Sequence, residues 1–119
     1  MVQTGDPTGQ GKGGQSIWGK PFTDEIRPTL KFNARGIVAM ANSGPDTNKS
    51  QFFIAYSKQP HLDGKYTIFG KVIDGADSTL DAMEKVPVTN KNRPLSEIKL
   101  THITIHANPI ADAMLASKR

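Results

Sequence analysis

The sequence predicts a mainly β protein flanked by one or two short helices. It holds eleven glycines and eight prolines in 119 residues, and these residues interrupt helices more than they interrupt short strands. Several short apolar runs are bounded by turn-forming residues, while a single internal window has clear helical spacing. A chain of this length is expected to form at most one domain around one core.

Three segments in the middle of the chain have the pattern of short strands. Residues 36–42 form an apolar run between turn signals, which is typical of a buried strand. Residues 51–57 are rich in aromatic side chains, and residues 67–73 alternate before Asp74 and Gly75 end them. In the aromatic pair Phe52-Phe53, one ring is expected in the core, because adjacent strand residues face opposite ways.

The spacing changes after the third strand. Leu80, Met83 and Val86 fall three residues apart, Ser78 is a candidate cap, and Pro87 ends the pattern. We therefore predict a short amphipathic helix over residues 78–86.

The flanking segments carry weaker signals. Residues 5–20 have turn chemistry, and residues 23–33 have room for a short helical turn that Pro28 interrupts. Residues 99–105 alternate strictly, which predicts a further strand. Residues 109–119 have helical composition but are short, so a C-terminal helix and a frayed tail are both open.

Composition and charge exclude several kinds of function. The chain has no cysteine, hence no disulfide framework and no thiol nucleophile. No window is apolar over the ~18 to 20 residues of a membrane span, and no signal peptide opens the chain, so no membrane association is expected. The net charge is +4, but the fifteen lysines and arginines are scattered. Direct nucleic-acid binding is therefore not expected, since it requires a clustered basic surface.

Two short motifs suggest ligands that their context does not support. Gly9, Gly11 and Gly14 have the spacing of a dinucleotide-binding fingerprint, but a polar, Gly-rich stretch precedes them and Pro21 interrupts any following helix. His102 and His106 have a zinc-like spacing that requires a helix. On the predicted strand they would lie about 13 Å apart, so no metal site is predicted.

The most informative stretch runs through residues 40–54 and 61–70. It places a strand, a polar loop, two aromatics, the sequence His-Leu-Asp-Gly-Lys and another strand in that order. This arrangement resembles the cyclophilin family of peptidyl-prolyl isomerases, and within it the cyclophilin J-like members, over residues 1–108. The resemblance implies a cyclophilin-like antiparallel β-barrel with short flanking helices, acting on Xaa-Pro bonds without a cofactor.

The resemblance also implies a substrate groove. Met1, Phe53 and Leu62 correspond to the apolar pocket for the proline ring, and Gln3 to the glutamine that hydrogen-bonds the substrate backbone. Ala41 and Asn42 correspond to the edge that aligns the peptide, with Gln51 nearby. Gln3, Phe53 and Tyr66 are the residues assigned to catalysis, while His61 and Tyr66 complete the substrate-binding set.

Three features depart from the commonest family pattern. His61 replaces a tryptophan that contacts cyclosporin, so weak cyclosporin binding is expected. Tyr66 replaces a histidine, and this substitution indicates the J-like subgroup. The family's pocket arginine, in a Phe-His-Arg motif upstream of the stretch that matches Met1, is missing, so the domain is expected to be N-terminally truncated and weakly active or inactive.

The sequence thus leaves three hypotheses open. The first is an isomerase that assists protein folding or remodelling in the spliceosome, in the nucleus or cytoplasm, acting on proline-containing peptides and proteins. The second is a non-catalytic module that binds proline peptides within a nuclear assembly. The third is a chain that does not fold alone, because missing barrel strands would leave open edges.

Overall fold

The computed structural model describes the backbone of residues 1–117 and the side chains of residues 1–115. The last two residues of the predicted C-terminal segment lie outside this description. The elements in chain order are strands β1 (Val2–Thr4), β2 (Ile37–Met40) and β3 (Phe52–Ile54), a 3₁₀ helix (Pro60–Leu62), strand β4 (Ile68–Lys71), and helices α1 (Thr79–Glu84) and α2 (Pro109–Ser117). The prediction of a mainly β protein with short helices is confirmed.

The four strands form one antiparallel sheet in the order β1-β3-β2-β4. In its register Phe53 lies opposite Gln3 on one side and opposite Ala39 on the other. Directly opposed residues of antiparallel strands share a face. The sheet therefore places Gln3 beside the ring of Phe53, which is the first step in building the site.

The core is small and lies on that same face. Five apolar residues form its buried cluster, and partly buried Ala41, Leu62, Tyr66 and Ile68 pack against it; the five are Phe32, Ile37, Ala39, Phe53 and Ala55. The core and the predicted substrate groove thus share side chains, so packing and site geometry depend on each other.

Helix α1 confirms the predicted amphipathic helix. Leu80 is buried, whereas Met83 and Val86 are half-buried. Ser78 is the N-cap residue, as predicted, but its side chain makes no capping hydrogen bond. Instead, the N–H groups of Ser78 and Leu80 donate to the carbonyl of Gly75, which lies in a left-handed turn with φ +91°.

The prediction of a strand over residues 99–105 is wrong. The segment has no secondary structure, its side chains are exposed, and its backbone makes no hydrogen bond with the described residues. Alternation makes a segment able to pair, but a strand forms only where a neighbouring strand supplies hydrogen-bond partners.

Two further local features differ from the sequence patterns. Residues 23–33 hold only a single turn, in which the Leu30 N–H donates to the Arg27 carbonyl over 3.0 Å. Residues 109–117 form helix α2, which favours the C-terminal helix over the frayed tail. Within residues 1–117, no helix is both long enough and apolar enough to cross a membrane.

Candidate active site

The candidate active site is a small pocket at the ends of β1 and β2, closed on one side by the turn that follows the 3₁₀ helix. It encloses about 90 Å³ and is lined by seven side chains: Met1, Gln3, Ala41, Asn42, Phe53, Leu62 and Tyr66. All seven belong to the set that the sequence predicts for substrate binding. The fold therefore brings together residues that lie up to 65 positions apart in the chain.

Phe53 forms the fixed wall of this pocket. Its ring stacks on Phe32, with centroids 5.7 Å apart and planes inclined by 8°, and meets the edge of Tyr66 at 5.4 Å and 89°. Only 2% of Phe53 is exposed. The ring therefore has the dual role expected for an aromatic in this position, as both core residue and pocket wall.

Asp63 holds the neighbouring turn in place. Its Oδ1 accepts a hydrogen bond of 2.7 Å from the N–H of Phe32, and the N–H of Gln59 donates to the carbonyl of Phe32. These bonds tie the segment that carries Leu62 and Tyr66 to the residue behind the Phe53 ring. The sequence analysis missed this role of Asp63, although an aspartate beside Gly64 is a signal for a side chain that organises a turn.

Asn42 presents an unpaired stretch of backbone to the pocket. Its side-chain amide is already used, because Nδ2 donates to the Lys65 carbonyl at 3.3 Å and Oδ1 accepts from Gly44 N–H at 3.2 Å. Its own N–H and C=O have no hydrogen-bond partner among residues 1–117. An extended peptide could therefore pair with this edge as an added strand.

Gln3 and Gln51 form a hydrogen-bonded pair beside the aromatic wall. Gln3 Nε2 donates to Gln51 Oε1 over 2.8 Å, and Gln51 Nε2 donates to the carbonyl of Gly13 over 2.9 Å. Gln51 does not line the pocket; it supports Gln3 from the side of the glycine-rich loop. Gln3 Oε1 remains available as an acceptor.

The glycine-rich loop is organised by Asp6. Its carboxylate accepts hydrogen bonds from the N–H and hydroxyl of Thr8 and from the N–H groups of Gly11 and Gly13. Desolvation alone would raise the pKa of Asp6, but these bonds outweigh it and hold the pKa well below its usual range. Gly11 thus donates its N–H to the chain's own carboxylate, and Gly9 donates to the Asp6 carbonyl, so these two fingerprint-like glycines are not free to bind a phosphate.

The remaining predicted residue, His61, lies exposed in the 3₁₀ helix and does not line the pocket. None of the lining side chains is an arginine, lysine, histidine or carboxylate. The described part of the chain also has no group of three or more His, Cys, Asp or Glu residues suited to hold a metal. The pocket can bind an apolar ring and a peptide backbone, and Tyr66 contributes a hydroxyl to its lining.

The family model for cyclophilin type peptidyl-prolyl cis-trans isomerases matches residues 1–105. The chain belongs to the cyclophilin family. This cyclophilin is 77% identical over 113 residues to peptidyl-prolyl cis-trans isomerase-like 3 of Mycosarcoma maydis, covering 93% of the chain and 67% of that relative. It is 66% identical over 112 residues to the Homo sapiens protein of the same name, covering 93% of the chain and 69% of that relative.

Solved structures agree with the sequence relatives. A crystal structure of a cyclophilin type peptidyl-prolyl cis-trans isomerase from Cryptosporidium parvum matches this cyclophilin with a TM-score of 0.85 and 53% identity, over 91% of this chain and 68% of the other. A second structure of that protein, in the presence of the dipeptide Ala-Pro, matches with a TM-score of 0.85 and 52% identity, over 90% of this chain and 68% of the other. The chain spans about two thirds of the length of these relatives.

Proposed function

We propose that this cyclophilin binds Xaa-Pro segments in the described pocket and catalyses their cis/trans isomerisation. One observation carries the proposal: the aromatic wall of Phe53 lies beside two free peptide-binding groups, the backbone of Asn42 and the Oε1 of Gln3. An apolar surface can hold a proline ring while the polar groups hold the chain next to it. This combination suits a substrate whose two sides must rotate relative to each other.

The chemistry requires no covalent step. Rotation about an amide bond has a barrier of about 18 to 20 kcal/mol because it breaks amide resonance. A site lowers the barrier by binding the twisted amide more tightly than either planar form. In this pocket Met1, Phe53 and Leu62 would fix the proline ring, while Gln3 and Asn42 would fix the adjoining backbone.

The rate is expected to be low for a cyclophilin. No lysine, arginine or histidine side chain lines the pocket to stabilise the twisted amide, and loss of one preorganised donor typically costs about 10²- to 10³-fold in rate. Binding depends on the apolar wall and the backbone groups, so it is expected to persist when turnover is slow.

Exchange NMR of an Ala-Pro peptide mixed with the chain tests the proposal. We expect cis/trans exchange faster than the uncatalysed rate, and slower exchange for Gln3→Ala. Gln10→Ala is the matched control, because Gln10 is exposed in the glycine-rich loop and does not line the pocket. Uncatalysed exchange with the unsubstituted chain would overturn the catalytic proposal.

A second candidate function, binding of proline peptides without turnover, is favoured by the absence of lysine, arginine and histidine side chains from the pocket lining. A titration of the chain with an Xaa-Pro peptide, followed by proton–nitrogen spectra, distinguishes the two functions. Pocket resonances that shift with an Xaa-Pro peptide, in a sample without catalysed exchange, would support the binding module. Absence of both effects would overturn this second candidate as well.

We further propose protein partners of the spliceosome and a nuclear or cytoplasmic location. The support is the resemblance of residues 40–70 to J-like cyclophilins, a subgroup associated with pre-mRNA splicing. Recovery of proline-containing splicing proteins by the immobilised chain, and loss of that recovery with Gln3→Ala, is the expected result. Recovery that is unaffected by Gln3→Ala would count against use of this pocket.

A further inference from the structure

The glycine-rich loop and the substrate pocket are linked by a continuous set of hydrogen bonds. We propose that Asp6 is a positioning residue for the amide of Gln3 and acts on it through Gly13 and Gln51. The inference rests on the proposed function, since it assigns Asp6 a part in holding the substrate backbone. Asp6 itself does not line the pocket.

The first link is between Asp6 and the loop backbone. Asp6 Oδ2 accepts from Gly11 N–H at 2.6 Å and from Gly13 N–H at 3.1 Å, while Thr8 donates to the same carboxylate through its N–H and its hydroxyl. The loop packs closely on the carboxylate, because a Cβ added at Gly13 would overlap Asp6 Oδ1. Asp6 therefore fixes where the peptide unit of Gly13 lies.

The second link sets the direction of two side-chain amides. Gln51 must turn its NH₂ group toward the Gly13 carbonyl, because a carbonyl can only accept. Its Oε1 then faces Gln3, so Gln3 in turn must present its NH₂ group to Gln51. The free oxygen of Gln3 is thereby kept as an acceptor for a substrate N–H. A glutamine without this support would be free to place either end in the site.

The surroundings explain why the carboxylate is needed. Residues 9–14 include four glycines, and Gly9 and Gly11 adopt φ of +71° and +87°. Such a segment loses much conformational entropy when it is ordered. Its other contacts with the rest of the chain include a hydrogen bond from Arg93 Nη2 to the Gly9 carbonyl, and this bond lies four residues from Gly13. The bonds to Asp6 are those that act on Gly13 directly.

A double-mutant cycle with Gln3→Ala tests the inference. Asp6→Ala removes the carboxylate, and Gly13→Ala keeps the charge but displaces it; both are expected to lower kcat/KM by about 3- to 10-fold, as loss of one oriented hydrogen bond would. In a Gln3→Ala background the same changes are expected to cost less than about 2-fold. Asp74→Ala, in an exposed loop, is the control and leaves kcat/KM unchanged.

The cycle separates positioning from general support of the fold. A purely structural role of Asp6 would lower kcat/KM by the same factor in both backgrounds, and that result would overturn the inference. Recovery of activity with Asp6→Glu but not with Asp6→Ala would support it.

A readout on the free protein keeps the inference distinct from the proposed function. Asp6→Ala is expected to shift the side-chain amide resonances of both Gln51 and Gln3, whereas Asp74→Ala leaves them in place. If the unsubstituted chain shows no catalysis, the proposed function fails, and these resonances still decide the link. Unchanged Gln3 resonances in Asp6→Ala would overturn it.

Discussion

Phe32 and Phe53 lie with their rings nearly parallel, 5.7 Å apart, and join the hydrophobic core directly to the candidate proline pocket. Both rings are almost fully buried, but Phe53 lines the pocket and Phe32 does not. The pocket wall is therefore held in place by a buried residue that lines no part of the pocket. Changes on either side of this stack should affect both stability and binding.

The first prediction concerns Phe53. Phe53→Ala is expected to reduce the free energy of unfolding by about 3 to 5 kcal/mol, because it removes a buried ring and leaves a cavity. Phe53→Leu is expected to keep the fold but weaken the binding of an Ala-Pro peptide, as measured by titration. Phe69→Ala is the control, since 57% of Phe69 is exposed. Equal destabilisation by both alanine substitutions would contradict the assignment of Phe53 to the core.

The second prediction concerns Asp63. Asp63→Ala should lower the free energy of unfolding by about 1 to 3 kcal/mol, since it leaves the partly buried N–H of Phe32 without its acceptor. Asp63→Asn retains an oxygen and should cost less. Denaturant unfolding of the two variants measures the difference, and peptide titration should show weaker binding for the alanine. Equal unfolding midpoints for the two variants would count against this hydrogen bond.

The third prediction is a loss of stability in acid. Hydrogen bonds hold the pKa of Asp6 below its ordinary value of 3.8 in the folded chain. The stabilisation from Asp6 is then fully present above pH ~4 and falls as pH drops toward the folded pKa. Asp81 acts in the same sense, because the hydrogen bond from Lys85 lowers its pKa.

Thermal unfolding between pH 5 and about pH 2 checks this prediction. The midpoint of the unsubstituted chain should fall with decreasing pH, and Asp6→Asn should show a shallower slope. Gln10→Ala, which is exposed in the same loop and changes no carboxylate, is expected to retain the original slope. A slope that Asp6→Asn leaves unchanged would show that the loop carboxylate does not contribute.

The fourth prediction concerns cyclosporin. His61 is exposed on the 3₁₀ helix and offers a smaller ring than the tryptophan that the family resemblance places there. We expect weak binding by the unsubstituted chain and tighter binding by His61→Trp, because a larger aromatic surface would contact the ligand. Calorimetric titration measures both. Tight binding without the substitution would contradict the role given to this position.

The fifth prediction concerns a guanidinium group beside the pocket. An N-terminal extension that supplies the family's Phe-His-Arg motif is expected to raise the isomerisation rate by about 10²- to 10³-fold. The same extension with alanine in place of its arginine is the control, because it adds the same chain without the guanidinium. A similar rate for both extensions would show that the gain comes from completing the fold, and not from the charge.

Local patterns predicted the inner part of the sheet well. Strands β2, β3 and β4 and helix α1 lie within the segments that apolar runs and spacing indicate, since each carries its own buried or partly buried apolar residues. Strand β1 has only three residues, and no apolar run in the sequence around it marks it as a strand. Residues 99–105 alternate as a strand does, but no neighbouring strand pairs with them, so they form no strand. A local sequence pattern does not show whether such a neighbour is present.

The site residues also fall into those that the sequence predicted and those that only the structure revealed. The seven lining residues came from a resemblance carried by residues 40–70 and by the start of the chain, whereas Asp6, Phe32 and Asp63 were found only in the structure. Their hydrogen bonds and ring contacts join residues that are far apart in the chain. The Phe32–Asp63 hydrogen bond spans 31 residues, and Asp6 is connected to Gln3 through Gly13 and Gln51. Long-range contacts of this kind depend on the whole fold, and spacing along the chain does not reveal them.

The unpaired state of residues 99–105 bears on what a denaturation curve of this protein would report. Their amide protons have no hydrogen-bond acceptor among residues 1–117 and should exchange with solvent almost as in an unfolded peptide, while those of Ala55 and Val72 should be protected. Unfolding would then expose less new surface than a chain of 119 residues normally does, and the denaturant m-value would be correspondingly small. The cooperative unit is thus shorter than the polypeptide, and it ends before the last alternating segment begins.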